Sequence, residues 1–260
     1  MKVMAVQSKR LRFTDSFTFI RQVREEVESL SDGLVVMPEK WLKDVFTKDS
    51  ESYNRFIEEM RAVSSSFEGI FVPGSISVSE GGKTFNRSIV FSGGKEIGHQ
   101  DKISLYRMEK TTYSSGREVN VVSCGAIKLG IPVCYDLDFP YFAKILSEKG
   151  AILMANPSLI GQKFIQMWHI YVRGRSLENR IPVVSVNSSD DLFGGNSIIT
   201  GMRDEGDGII LEESVAGTEL FFHSSIETEH IEKLSRARYD EDPGVYSLKT
   251  SDGGKKVADL

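Results

Sequence analysis

A cysteine at the end of an apolar strand is the residue best placed in this chain for covalent chemistry. Ile127, Leu129, Ile131 and Val133 climb toward Cys134, and Tyr135-Asp136-Leu137-Asp138-Phe139-Pro140 follows. Pro140 fits the first turn of a helix, where its missing N–H forfeits nothing. That helix runs over Tyr141 to Lys149 until Gly150 closes it. Cys134 is therefore predicted at a strand-to-helix turn, where a side chain is raised into a cleft and backbone N–H groups point outward. A thiol set there can attack an electrophile if a base and positive charge stand beside it. Taken alone, such a cysteine is more often a buried, inert thiol.

Four histidines are available as bases: His99, His169, His223 and His230. None has the companion pattern of a Cys–His protease, although His99 stays open because it is close to Lys102. Glu39 is the stronger base candidate. It follows the fully apolar run Leu34-Val35-Val36-Met37 and Pro38, where a carboxyl should be partly desolvated and its pKa raised toward neutrality. Lys102 would supply positive charge for a thiolate and an oxyanion. On position alone, Glu39 also reads as a surface glutamate and Lys102 as an exposed lysine at a strand entrance. Asp136 is expected to hold the cysteine turn by accepting backbone N–H groups. Cys124, beside Gly125, is read as structural.

The elements that must position these groups follow from periodicity. Lys2 to Gln7 reads as a strand rather than a signal peptide, because its apolar stretch is brief and charge resumes at Lys9 and Arg10. Thr14 or Asp15 can cap a helix bearing Phe17, Ile20, Val23, Val27 and Leu30. Leu34 to Met37 suits a strand buried on both faces. Tyr53, Phe56, Ile57, Met60 and Val63 mark a second helix, and Gly69-Ile70-Phe71-Val72 begins another strand. From Ser75 to Gly98, alternation punctuated by Gly81-Gly82 and Gly93-Gly94 predicts an antiparallel meander. Val119 to Val133 forms a hairpin leading to Cys134. Ala151 to Ala155 is a buried strand. A helix over about 163–179 precedes a strand from Ile181 to Val186. Ser197 to Thr200, Gly208 to Leu211 and Thr218 to Phe222 are late strands. Ser224 with Glu227 reads as a capping box for a helix reaching Ala237. Early βα units followed by antiparallel strands and interleaved helices predict an α/β sandwich. No linker divides the chain, so residues 1–260 are expected to form one domain.

Composition narrows the function. The chain has 260 residues, 40% hydrophobic and 27% charged, with a formal charge of −5. That balance offers no basic footprint for nucleic acid. No apolar run approaches the roughly 20 residues that span a bilayer. The two cysteines make no disulfide framework, and a reducing cytoplasm is the economical expectation.

Several stretches together resemble the nitrilase superfamily, the carbon–nitrogen hydrolases, over nearly the whole chain. Val36-Met37-Pro38-Glu39 is similar to the family's glutamate motif. Asn86 and Gly98 to Leu105, with Asp101-Lys102-Ile103, resemble its lysine motif. Gly130-Ile131-Pro132-Val133-Cys134-Tyr135-Asp136 with Phe139-Pro140 resembles its cysteine motif. Arg173-Gly174-Arg175-Ser176-Leu177-Glu178-Asn179 resembles the helix that commonly follows, and Gly195-Asn196-Ser197-Ile198-Ile199 a later strand. Asp138 and Tyr141 depart from the pattern: many members carry Arg and Glu at these positions flanking Phe-Pro. The departure bears on both substrate and assembly.

The resemblance implies a four-layer α-β-β-α sandwich and a Glu39, Lys102, Cys134 triad. Glu109 falls where many members carry a second, orienting glutamate; a loop carboxylate with no role is the competing reading. The implied reaction is attack of Cys134 on an amide carbonyl or nitrile carbon, with Glu39 as the proton carrier. Lys102 and the backbone N–H of Tyr135 would bind the oxyanion. It requires no metal and no cofactor. The partners it implies are a small-molecule amide or nitrile and further copies of this chain, as a homodimer or larger homo-oligomer formed through the helix after Pro140, with neither nucleic acid nor membrane. An amidase is the default over a true nitrilase or an N-carbamoyl hydrolase sharing the triad. A cysteine-based esterase or acyltransferase, and a catalytically silent α/β binding module, are the alternatives in other classes. The silent module lacks a Gly-rich phosphate loop of its own. Arg173, Arg175 and Glu178 are expected to form an ion-pair network bracing their helix. Trp41, Tyr106, Tyr113, Tyr135 and Phe193 are candidates to line the pocket.

Overall fold

Strand β1 (Lys2–Val6) shows how the layers arise. Val3 and Ala5 point to one face and Met4 and Val6 to the other, and all four are fully buried. A strand without a polar face must be covered on both sides. The computed structural model describes residues 1–241; residues 242–260 of the expected domain lie outside the described residues.

From β1 the chain runs through α1 (Phe17–Leu30), β2 (Asp32–Val36), β3 (Val45–Thr47), α2 (Glu51–Ser64) and β4 (Glu68–Val72). The meander follows as β5 (Ile76–Glu80), β6 (Lys83–Ser92) and β7 (Lys95–Asp101), then the short α3 (Glu109–Thr112). A hairpin of β8 (Val121–Cys124) and β9 (Ile127–Gly130) leads to α4 (Pro140–Glu148), β10 (Leu153–Ser158), α5 (Ile165–Asn179) and β11 (Val183–Asn187). The last elements are β12 (Ile198–Asp204), β13 (Ile209–Val215), β14 (Phe221–Ser225) and α6 (Ile231–Asp240).

Two sheets result. One has the order β14-β1-β2-β4-β6-β5-β3, with β7 paired to β6; the other has the order β13-β12-β11-β10-β9-β8. Strands β1, β2 and β4 are parallel, as are β9, β10 and β11. The odd-even pattern seen in β1 recurs along the first sheet. Leu34, Val36, Ile70, Val72 and Val90 face inward, against Leu129, Leu153 and Val183 of the second sheet. Val35, Met37, Phe71, Ile89 and Phe91 face outward, against Ile20, Val23, Phe56 and Met60 of α1 and α2. On the far side, Phe142, Leu146, Trp168 and Val172 of α4 and α5 cover the second sheet. The architecture is the α-β-β-α sandwich expected.

Local expectations differ from the structure where long-range pairing wins. Ser224 does not cap a helix: it lies in β14, opposite Val3 of β1, and α6 begins only at Ile231. Thr14 and Asp15 lie in a single 3-10 turn, and α1 starts after Ser16, whose hydroxyl donates to Phe13 O rather than capping the helix. β3 gave no periodic signal because only Phe46 of its three residues is buried. The strand toward Cys134 ends its pairing at Gly130, whose Cα is packed against Leu146.

Gly74 fixes the approach to Glu39. It has φ +68°, and a Cβ there would run into the Pro38 carbonyl. Gly74→Ala should therefore lower stability by about 2–4 kcal/mol in chemical denaturation. Gly81, at φ +58° with open space around it, should lose only about 1 kcal/mol on the same change. Equal losses would mean that the clash at Gly74 is not felt.

Candidate active site

The site lies at the carboxyl ends of the parallel strands β2, β9 and β10, where α/β sheets leave a crevice, and at the end of the antiparallel β7. Glu39 follows β2, Lys102 follows β7, Cys134 follows β9, and Ser158 closes β10. The Glu39 N–H donates to Ser158 O at 3.2 Å, which joins the two sheets at this point.

Cys134 opens a 3-10 turn, Cys134–Asp138, with φ +46°. A left-handed conformation in a residue with a Cβ costs about 1–2 kcal/mol and persists only where its surroundings enforce it. Asp136 supplies that enforcement. Its Oδ2 accepts from Val133 N at 3.1 Å, holding the turn as expected. Its Oδ1 accepts from Ile103 N at 3.2 Å and Ser104 N at 2.6 Å, tying the turn to the segment after Lys102. Burial pushes the Asp136 carboxyl up to about 7 against these donors. From the other side, Asn156 Nδ2 donates to Pro132 O at 2.7 Å. The Tyr135 N–H has no acceptor among the described residues.

Glu39, Lys102 and Cys134 meet. Glu39 and Lys102 are 2% and 1% exposed, and Lys102 Nζ donates to Glu39 Oε1 at 2.8 Å. The same ammonium donates to Glu109 Oε2 at 2.8 Å. Asn86 Nδ2 adds a donor to Glu39 Oε1 at 2.7 Å. The Cys134 sulfur interacts with the Glu39 carboxylate and with the backbone N–H of Leu159. Glu109 is thus in the cluster, and Tyr106 N fixes it with a further bond of 2.9 Å.

Lys40 is the member that sequence reasoning missed. It stands at φ +44°, and its Nζ donates to Glu109 Oε1 at 2.6 Å. Its signal was only adjacency to Glu39. The four side chains Glu39, Glu109, Lys40 and Lys102 therefore balance their own charge. The expected rise of the Glu39 pKa does not occur. Burial does push it up, but Lys102 and Lys40 outweigh burial and hold the carboxyl below its usual range. For Lys102, burial works against the charge, yet Glu39, Cys134 and Glu109 keep it firmly protonated. Burial, then the Glu39 charge, drive the Cys134 thiol well above the ordinary range despite Lys102. The resting pair is a carboxylate facing a thiol.

A second buried polar web holds the opposite wall, also missed because polar residues at strand ends read as loops. Ser158 and Ser185 hydroxyls each donate to Asn156 Oδ1 at 2.7 Å, and Trp168 Nε1 donates to Ser185 Oγ at 2.9 Å. Asn187 Oδ1 accepts from Ile160 N at 2.8 Å, fixing the backbone beside Leu159.

These groups open onto a cavity of about 420 Å³, within the range of small-molecule sites. Tyr106, Tyr135 and Phe193 line it as expected, joined by Phe164, Trp168 and Tyr171. Trp41 does not: it is buried against Phe19 and donates to Pro73 O. Tyr113 lies behind Lys40, its hydroxyl paired with Ser77. His99 sits in β7 outside this cavity, His169 bonds Asn196 O, and His223 pairs with Glu26. Arg175 braces the cysteine turn through Leu137 O and Asp138 O and pairs with Glu178. Arg173 departs from the expected network and pairs with Glu213 on β13. Among the described residues, no group of three or more His, Cys, Asp or Glu could hold a metal ion.

Known proteins carry the same arrangement of chain. The omega-amidase NIT3 of Saccharomyces cerevisiae is 28% identical over 248 residues, covering 85% of this chain and 82% of its own. Its crystal structure superposes with a TM-score of 0.74 over 91% of this chain and 93% of that one, at 24% identity. The 2-oxoglutaramate amidase of Paenarthrobacter nicotinovorans is 28% identical over 86% of this chain and 84% of its own. An amidase from Nesterenkonia shares the fold, with a TM-score of 0.74 over 92% of this chain and 95% of that one, at 18% identity. The sequence pattern of the carbon–nitrogen hydrolases matches residues 32–219. With most of its length inside that match, and the sandwich and strand-end cluster in place, the chain belongs to the carbon–nitrogen hydrolase family.

Proposed function

We propose that this protein hydrolyses a small amide through a Cys134 acyl-enzyme. The observation that carries the reading is the buried Lys102 ammonium, bonded to both Glu39 and Glu109 at 2.8 Å beside the Cys134 sulfur. The thiol proton passes to Glu39 as the sulfur attacks the amide carbonyl. Glu39 then hands that proton to the leaving nitrogen, and ammonia or an amine departs. Water, deprotonated by Glu39, attacks the thioester and restores the thiol. Lys102 and the free Tyr135 N–H stabilise the tetrahedral oxyanion; losing one such donor costs about 3–4 kcal/mol of barrier. Glu109 holds Lys102 and Lys40 in place, a positioning role rather than a proton-transfer role. The amide-hydrolysing names of the relatives support an amide over a nitrile.

Assembly and location complete the reading. Large apolar side chains stand exposed along α4 and α5: Tyr141 at 49%, Met167 at 52% and Ile170 at 67%. A second copy of the chain covers them in a homodimer. No helix of the described residues is long and apolar enough to cross a membrane. Both cysteines are free thiols, as a reducing cytoplasm would keep them.

Ammonia release from a panel of primary amides tests the activity. Glu39→Gln should lower kcat/KM by about 10²–10⁴-fold in a protein that still folds, at a lower melting temperature, because Lys102 keeps Glu109 but the buried cluster gains a net positive charge. Full activity in that variant would remove glutamate from the mechanism. Iodoacetamide, itself a primary amide, should modify Cys134 in step with loss of activity; inactivation that tracks Cys124 would overturn the assignment. Light scattering should give a dimer that Ile170→Glu weakens. A wild-type monomer at micromolar concentration would contradict the pairing.

A further inference from the structure

The charges lining the cavity do not cancel. Glu39, Glu109 and Asp138 face it from the acidic side, Lys40 and Lys102 from the basic side, which leaves one carboxylate in excess. Both ammonium groups are committed to Glu39 and Glu109. No cation lining the cavity is left to receive a negatively charged substrate.

The excess carboxylate is Asp138. It ends the turn that Cys134 begins, so both residues open onto the same space. Among the described residues its carboxylate has no hydrogen bond or close ion pair. Arg175 and Lys102 act on it only through their charge, Arg175 directing its guanidinium bonds to Leu137 O, Asp138 O and Glu178. Half-burial pushes the Asp138 carboxyl up to about 6, so it remains charged at neutral pH. The uncharged wall is largely aromatic, with Tyr106, Tyr135, Phe164, Trp168, Tyr171 and Phe193 among its residues. Aromatic faces beside a lone carboxylate favour a cation and disfavour an anion.

We propose that Asp138 selects amides whose acyl chain carries a protonated amine, and that it turns away amides of dicarboxylic acids. The inference rests on the amidase reading for what is cleaved, but it can be tested by binding alone. It sets this chain apart in substrate from a relative such as the 2-oxoglutaramate amidase, whose named substrate is anionic.

The test is calorimetric binding to the Cys134→Ala protein of three amides of equal chain length: ω-aminopentanamide, pentanamide and glutaric acid monoamide. The amino amide should bind about tenfold tighter than the neutral one, and the acid weakest. Asp138→Asn in the same background should reduce the amine-to-neutral ratio of affinities by about tenfold. Binding of the acid as tightly as the amine would overturn the proposal, and so would an amine preference unchanged by Asp138→Asn. Should Asp138→Asn fail to fold, the ranking in the Cys134→Ala protein decides by itself. Because no turnover is needed, failure here is distinct from failure to release ammonia, which would count against the amidase reading instead.

Discussion

An ammonium group sealed inside a protein is the constraint on which this site depends. Lys102 is 1% exposed, and desolvating such an ion costs several kcal/mol unless opposite charge and hydrogen bonds surround it. Glu39 and Glu109 supply both at 2.8 Å, and Lys40 balances the second carboxylate. Neutrality within the cluster lets Glu39 stay ionised where burial alone would protonate it. It also leaves the neighbouring sulfur as a thiol. In the proposed mechanism, base and nucleophile thus stand one proton transfer apart, without a free thiolate exposed to oxidation at rest.

Holding those charges together is a task for the backbone around them. The strained Cys134 turn is pinned by Asp136, which also ties down the segment after Lys102. The Glu39 N–H to Ser158 O bond fastens one sheet to the other at the cluster. Residues from four separate strand ends therefore share one rigid frame, so a small shift of either sheet would be felt at the sulfur.

Much of this was legible in the sequence, for identifiable reasons. The run Leu34 to Met37 and the climb to Cys134 could be read because a strand buried on both faces, and one stopped by a Pro-led helix, leave strong patterns. The pairing of Lys102 with Glu39 was reached through resemblance, since 63 residues separate them and no local periodicity links them. Lys40 was missed for the same reason: its partner Glu109 is 69 residues away. Ser224 carried a local capping signal that pairing with β1 overrode. The Glu39 pKa was misjudged because burial was legible and the second cation was not.

The most direct test is the ionisation state of the sulfur at rest. Ultraviolet thiolate absorbance, taken as the difference between wild type and Cys134→Ser, should stay absent from about pH 6 to about pH 9. That outcome matches a thiol held protonated beside an ionised Glu39. A full thiolate signal below about pH 7 would contradict it, because the proton that Glu39 is said to receive would already be gone.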